Sequence, residues 1–244
     1  EKAASRQAGV NRMRKLLRYS AIAVLGVALA AALLAWWAAR QAFHQPEAYR
    51  RALDMATEAA QRENDEFLRR AAQWQRARRR VGQWEVRFTP AQLNGWLAVD
   101  LPQNHPESLP PQLRNPRVAL SDGTITLFAQ SQWAGRDVVM SVEVEPFLLS
   151  STVLGLRLRG LRAGRLPLPQ RELIDRISRA AAEAGIGIQW RQLDGTPVAV
   201  IPIGDNGRLI GQQGEAIRVA LDRVAISPDA LVVAGRTADE GPLK

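Results

Sequence analysis

Acid–base or metal chemistry would have to start from the two histidines, His44 and His105. Neither has a partner at the spacing of a metal site. No H-E-x-x-H, Walker loop, G-x-S-x-G or acidic metal cluster occurs. Cysteine is absent, which excludes disulfides, thiolate nucleophiles and Cys-ligated zinc. Glu143 and Glu145 stand two residues apart and so share one face of a strand, a spacing that can hold a cation but that reads as a solvated sheet face. Asp100 and Asp122 lie in turn-like contexts. No nucleophile is paired with a base. The expectation is a protein that is not an enzyme, with no catalytic residue, metal or cofactor.

The run Ile210-Gly211-Gln212-Gln213-Gly214-Glu215-Ala216-Ile217 resembles the I-G-x-x-G-x-x-I core of KH domains, whose loop joins two helices and clamps a nucleic-acid backbone. That resemblance implies an alternative reading, a membrane-tethered nucleic-acid binder with a KH-like loop at 211–214. The flanks point elsewhere. Gly204, Asp205, Asn206 and Gly207 break the helix that should precede the loop. Ile217, Val219 and Leu221 then alternate with Arg218, Ala220 and Asp222, as in a strand. A hairpin turn is expected, with nucleic acid disfavoured as a partner.

An uncharged run from Tyr19 to Ala39 decides where the chain sits. About 20 helical residues at ~1.5 Å each cross the ~30 Å hydrocarbon layer. Six Lys or Arg and one Glu precede the run, whereas Arg40 stands alone until Arg50. This asymmetry places the N-terminus in the cytoplasm and the rest outside it. Trp36 and Trp37 fall at the far end, where indole favours the headgroup interface. A cleavable signal peptide would have a shorter apolar core, so the run reads as a single-pass anchor in the cytoplasmic membrane. The net charge of +9 suits anionic lipid, nucleic acid or an acidic polymer, and part of it is the basic flank at 1–18. The roughly 205 residues beyond the anchor suffice for a stalk and one domain with a core.

From Glu47 to Arg80 there is no Gly or Pro, which predicts a helical stalk over 46–80. Glu63 and Arg70 interrupt its 3–4 spaced seam, so a strong coiled coil is not expected. The stalk ends in Arg76, Arg78, Arg79 and Arg80, cations that suit a helix C-terminus and are candidate contacts for anionic headgroups. Trp84, Val86 and Phe88 alternate as a strand. Thr89-Pro90-Ala91-Gln92 is a capping box for a short helix burying Leu93, Trp96 and Leu97. An irregular Pro-rich loop follows to Pro116. A hairpin turns at Ser121-Asp122-Gly123, with Ile125, Leu127 and Ala129 on one face. Val138, Met140, Val142 and Val144 alternate in the next strand. In the strand from Val153, Leu156, Leu158 and Leu161 oppose Arg157, Arg159 and Arg162. Gln170–Ala184 is an amphipathic helix with Leu173, Ile174 and Ile177 on one side.

The series FTPAQLNGWLA (Phe88–Ala98), PRVALSDGTITL (Pro116–Leu127) and LRLRGLRAGRLPLP (Leu156–Pro169), after an anchor and a helix, resembles the YpmS-like and YceB-like membrane-anchored envelope proteins. Their β-rich domain is similar to tubular lipid-binding folds, in which a curved sheet wraps a helix. The resemblance implies a lipid- or apolar-ligand-binding groove and carries no catalytic residues. The expected fold is α+β: a transmembrane helix at 19–39, a helical stalk, and an extracytoplasmic domain at 83–237. A mostly antiparallel curved sheet packs there on the 170–184 helix, and 238–244 forms a tail. The candidate groove is Leu156, Leu158, Leu173, Ile174 and Ile177. The expected partners are the membrane, a phospholipid or another membrane protein. A scaffold without ligand is the companion reading.

Overall fold

The computed structural model describes residues 40–133, 135–169, 171, 174, 175, 178, 179, 188–203, 208–210 and 216–239, together with 33 and 37. The chain divides into two compact units, Glu1–Ala42 and Phe43–Lys244. In the first, residues 33, 37 and 40–42 are helical. Among the described residues no helix is long and apolar enough to cross a membrane. The flank at 1–18 and most of the run at 19–39 lie outside the described residues, as does 240–244 of the expected tail.

The second unit is α+β, and its strands pair antiparallel throughout the described residues. It opens with two helices, α1 (Glu47–Leu53) and α2 (Thr57–Ala77). This corrects the expectation of one continuous helix over 46–80, although no Gly or Pro marks the break. Tertiary contacts make it. Tyr49 on α1 is fully buried against Phe128 and Val139. The Arg117 side chain donates from Nε to the Ala52 carbonyl at 3.1 Å, satisfying one of the carbonyls that a helix end leaves open. The chain then turns so that α2 packs on a different sheet. The expected stalk is therefore part of the compact unit, which begins well before residue 83.

The strands form two sheets. The smaller has the order β1 (Gly82–Phe88), β11 (Ala230–Asp239), β10 (Ala216–Ser227), β9 (Arg208–Ile210). Its core is Trp84, Ile217, Val219 and Leu221, with Trp74 of α2 packed against it. Along α2, Phe67 packs at a tilt of 39° against Phe88 with centroids 4.8 Å apart, and Trp74 meets Trp84 edge-on at 6.1 Å. Gly235 makes room for Trp84, because a Cβ there would lie 2.6 Å from the indole and 2.4 Å from the Ala220 carbonyl oxygen.

The larger sheet has the order β2 (Arg114–Ser121), β3 (Thr124–Trp133), β4 (Arg136–Ser150), β5 (Val153–Ala163), β8 (Thr196–Pro202), β7 (Gln189–Leu193), with the short β6 (Leu166–Pro167) beside β5. Strand β10 reaches across its turn end: the Leu221 N–H donates to the Ser151 carbonyl at 2.6 Å, and the Gly123 N–H to Ile226 at 3.0 Å.

Two short helices link the first strand to the larger sheet. Helix α3 (Pro90–Ala98) starts at a capping box in which the Gln92 N–H reaches Thr89 Oγ1 at 3.2 Å and the Thr89 N–H reaches Gln92 Oε1 at 3.1 Å. From α3, Asn94 donates to the Val118 carbonyl and accepts from the Val118 N–H, both at 2.8 Å, closing the outer edge of β2. Gly95 lets α3 approach α2, since a Cβ would fall 2.7 Å from the Asn64 backbone nitrogen. The expected irregular Pro-rich loop is partly ordered, as α4 (Asp100–Asn104) and a 3-10 turn (Pro106–Ser108), and β2 takes in Pro116.

Candidate functional site

Residues directly opposite in an antiparallel pair share a face, so register sorts the side chains of the larger sheet. One face carries Val118 and Leu120, then Leu127 and Ile125, Val142 and Val144, and Leu161 and Leu158. It continues through Pro146, Leu156, Ala199 and Trp190. Leu158 and Leu161 are three residues apart yet share this face because β5 bulges at Arg159, where one extra residue restores the phase. The result is an apolar band across six strands.

The band is unevenly covered. Val118, Leu120, Leu158 and Leu161 are buried, but Leu127 is 46 % exposed and Ile125, Val142, Val144 and Leu156 are only half-buried. Of the candidate groove residues, Leu158 is buried in this band, and Leu156 and Ile174 are half-buried. Leu173 and Ile177 lie outside the described residues. Residues 171, 174, 175, 178 and 179 are helical, and Trp190 Nε1 donates to Ser178 Oγ at 2.8 Å. That bond seats the helix on the face that holds Leu156.

The four arginines at the end of α2 do not act as a set. Arg76, Arg79 and Arg80 are exposed. Arg78 is half-buried, with its guanidinium 5.0 Å from the Trp74 ring centroid, and its carbonyl accepts from Thr237 Oγ1 at 2.8 Å. Burial, reinforced by the neighbouring charge of Arg79, lowers the Arg78 pKa from its ordinary value. Arg78 thus tethers α2 to β11, leaving three arginines available to an outside anion.

The histidines lie far apart in the sequence and in different settings. His105 Nε2 stands 3.5 Å from Asp100, whose carboxylate also accepts from Trp96 Nε1 at 2.9 Å and Asn104 Nδ2 at 2.7 Å. His44 lines a cleft on the opposite face of the larger sheet. The paired glutamates share the face opposite the apolar band but differ in their partners. Glu145 is bridged by Arg157 at 3.3 Å and by Arg159 Nε at 2.6 Å, whereas Glu143 faces the cleft. Around the KH-like motif, β9 and β10 pair antiparallel from Ile210↔Ala216 onward, so strands stand where that resemblance requires helices. The loop at 211–215 lies outside the described residues. The sequence signal for Asn94 is a lone Asn inside a helix, four residues past its initiating Pro90.

No family model, curated protein or solved structure matches the chain.

Proposed function

We propose that this chain is a non-enzymatic, single-pass protein of the cytoplasmic membrane with its α+β unit on the outer side, similar in organisation to the YpmS-like and YceB-like envelope proteins. Its apolar band receives an acyl chain or another apolar ligand, in the manner of a tubular lipid-binding domain. The observation that carries this reading is the exposure of Leu127 among the half-buried Ile125, Val142, Val144 and Leu156. A contiguous apolar strip left partly open inside a sheet is a feature of binding surfaces rather than of filled cores. The helical residues 171, 174, 175, 178 and 179, among which Ile174 is half-buried, would border the strip. The exposed Arg76, Arg79 and Arg80 would meet anionic headgroups, each contributing about 1 kcal/mol near such a surface.

Native mass spectrometry of the full chain, extracted from membranes, tests the reading. A reproducible co-purifying lipid, lost in Leu127→Lys, is expected. Reproducible absence of lipid would leave the scaffold role alone. A reporter fused after Lys244 should appear outside the cytoplasm, and a cytoplasmic signal would overturn the envelope placement.

A further inference from the structure

Opposite the apolar band, the larger sheet presents a polar face. Arg117 pairs with Phe128, Thr126 with Glu143, and Ser141 with Arg162. Tyr49 and the rest of α1 cover one end of this face. Beside them opens a cleft of about 770 Å³, within the usual range of small-molecule sites. Its floor is made of short side chains, including Thr126, Ser141 and Gly160. A Cβ built on Gly160 meets nothing within 4 Å, so the floor is open at that point.

The charges around the cleft are what distinguish it. Arg50 from α1, Arg162 from β5 and Arg165 from the turn after it all line the space. Among the described residues none of the three guanidiniums has an ion-pair or hydrogen-bond partner, in contrast to those of Arg157 and Arg159 on the same strand as Arg162. Glu143, half-buried on the floor, is likewise without a partner. The other carboxylate, Glu47, lies 3.9 Å from Arg51. Three guanidiniums from separate elements, each a planar fork of donors, suit a tetrahedral oxyanion better than a single carboxylate. An unpaired carboxylate on the same floor suits an ammonium group.

We infer that the cleft binds a zwitterionic aminoalkyl phosphate, with Arg50, Arg162 and Arg165 on the phosphate and Glu143 on the amine. This site does not depend on an occupant of the apolar band, which lies on the other side of the sheet. The ligand can be a free phosphoethanolamine, a monoester with nearly two negative charges at neutral pH, or the headgroup of a phosphatidylethanolamine, a diester with one, since both join a phosphate to an ammonium by the same two-carbon link.

Calorimetric titration of the full chain in non-ionic detergent with phosphoethanolamine tests the site. Saturable binding is expected. Gly160→Leu should abolish it by filling the floor, with thermal unfolding as the check on folding. Arg162→Ala with Arg165→Ala should weaken it by roughly tenfold or more. Glu143→Gln should weaken phosphoethanolamine while leaving glycerol 3-phosphate, which lacks the amine, unchanged or tighter. Lysophosphatidylethanolamine, used below its micelle concentration, separates the sources: tighter binding than phosphoethanolamine assigns a lipid headgroup, and equal or weaker binding assigns the free ester. Absence of saturable binding, or equal binding by the two-arginine variant, overturns the inference.

Discussion

In the four-stranded sheet Trp84, Ile217, Val219 and Leu221 are each 9 % exposed or less, whereas in the seven-stranded sheet Leu127 is 46 % exposed. Both faces are apolar and both are built by two-residue alternation. They differ in what lies on them. The smaller sheet is filled by α2, with Trp74 and Phe67 against Trp84 and Phe88 and with Gly235 cut back to seat an indole. Among the described residues the larger sheet is crossed at its turn end by β10, meets the helical residues around Ser178 through Trp190, and is braced at one edge by Asn94. Burial near completion stabilises a fold at roughly 25 cal/mol per Å² of apolar surface, and half-burial forgoes part of that. The first sheet's apolar face is therefore closed by its own unit, whereas the second leaves Leu127 and its neighbours partly uncovered.

Substitutions can break or sharpen this contrast. Trp84→Ala removes the indole that α2, β10 and β11 share, together with its 3.1 Å bond to Thr237 Oγ1, and should cost about 3–5 kcal/mol in denaturant unfolding. A loss below ~1 kcal/mol would mean the smaller sheet is not the structural centre.

Asn94→Ala leaves both the N–H and the carbonyl of Val118 without their partners at the buried edge of β2. A loss of about 1–3 kcal/mol is expected. Amide exchange at Val118 should speed up, and unchanged protection there would show that the clamp is not what closes the edge.

Tyr49 joins α1 to the polar face of the larger sheet. Burial, its largest influence, pushes the phenol pKa up to about 12, while Arg117 opposes that shift and Asp137 adds to it. A raised folded-state pKa gives stability that is complete below the unfolded value near ~10 and is lost as pH rises toward the folded value. Unfolding titrations should thus show a decline in stability between those two pH values. Tyr49→Phe should remove that decline and, by losing the 2.9 Å bond to the Asn115 carbonyl, cost about 1 kcal/mol at neutral pH. An identical alkaline profile in the two proteins would rule out Tyr49 as its source.

The smallest stability change is expected at Leu127. Leu127→Lys should stay within about 0.5 kcal/mol of the parent, because the side chain is already exposed, while lipid capture falls. A large destabilisation would instead place Leu127 in an ordinary core and remove the contrast between the sheets.

Local patterns in the chain were enough to place the strands, the Thr89 capping box and the turn at Ser121–Gly123. These depend on neighbours within a few residues. The spacing of Leu158 and Leu161 even contained the bulge at Arg159, since both could face one side only with an extra residue between them. Where contacts join distant segments, the sequence was silent. The break at 54–56 follows from Tyr49 docking on Phe128 and from Arg117 meeting Ala52. The division into two sheets, and the role of 57–77 as the helix on which one of them packs, rest on pairings such as Val86↔Val233. A polar, gap-free helix reads as a stalk until its partner strands are known. The cleft escaped notice for the same reason, as Arg50, Glu143 and Arg162 come from three separate elements.

The bond between Trp84 and Thr237 spans 153 positions of the chain, and it has a consequence for the order of events during synthesis. Strands β2 to β5 find one another through successive hairpins, so the larger sheet can assemble while later residues are still being made. Strand β1 has no such neighbour. Among the described residues its ladder partner is β11, the last strand in sequence order, so until Thr237 emerges β1 stands as an unpaired strand with Trp84 uncovered. The core under α2 is thus the later of the two to close, and its closure reports that the chain has been made through to β11.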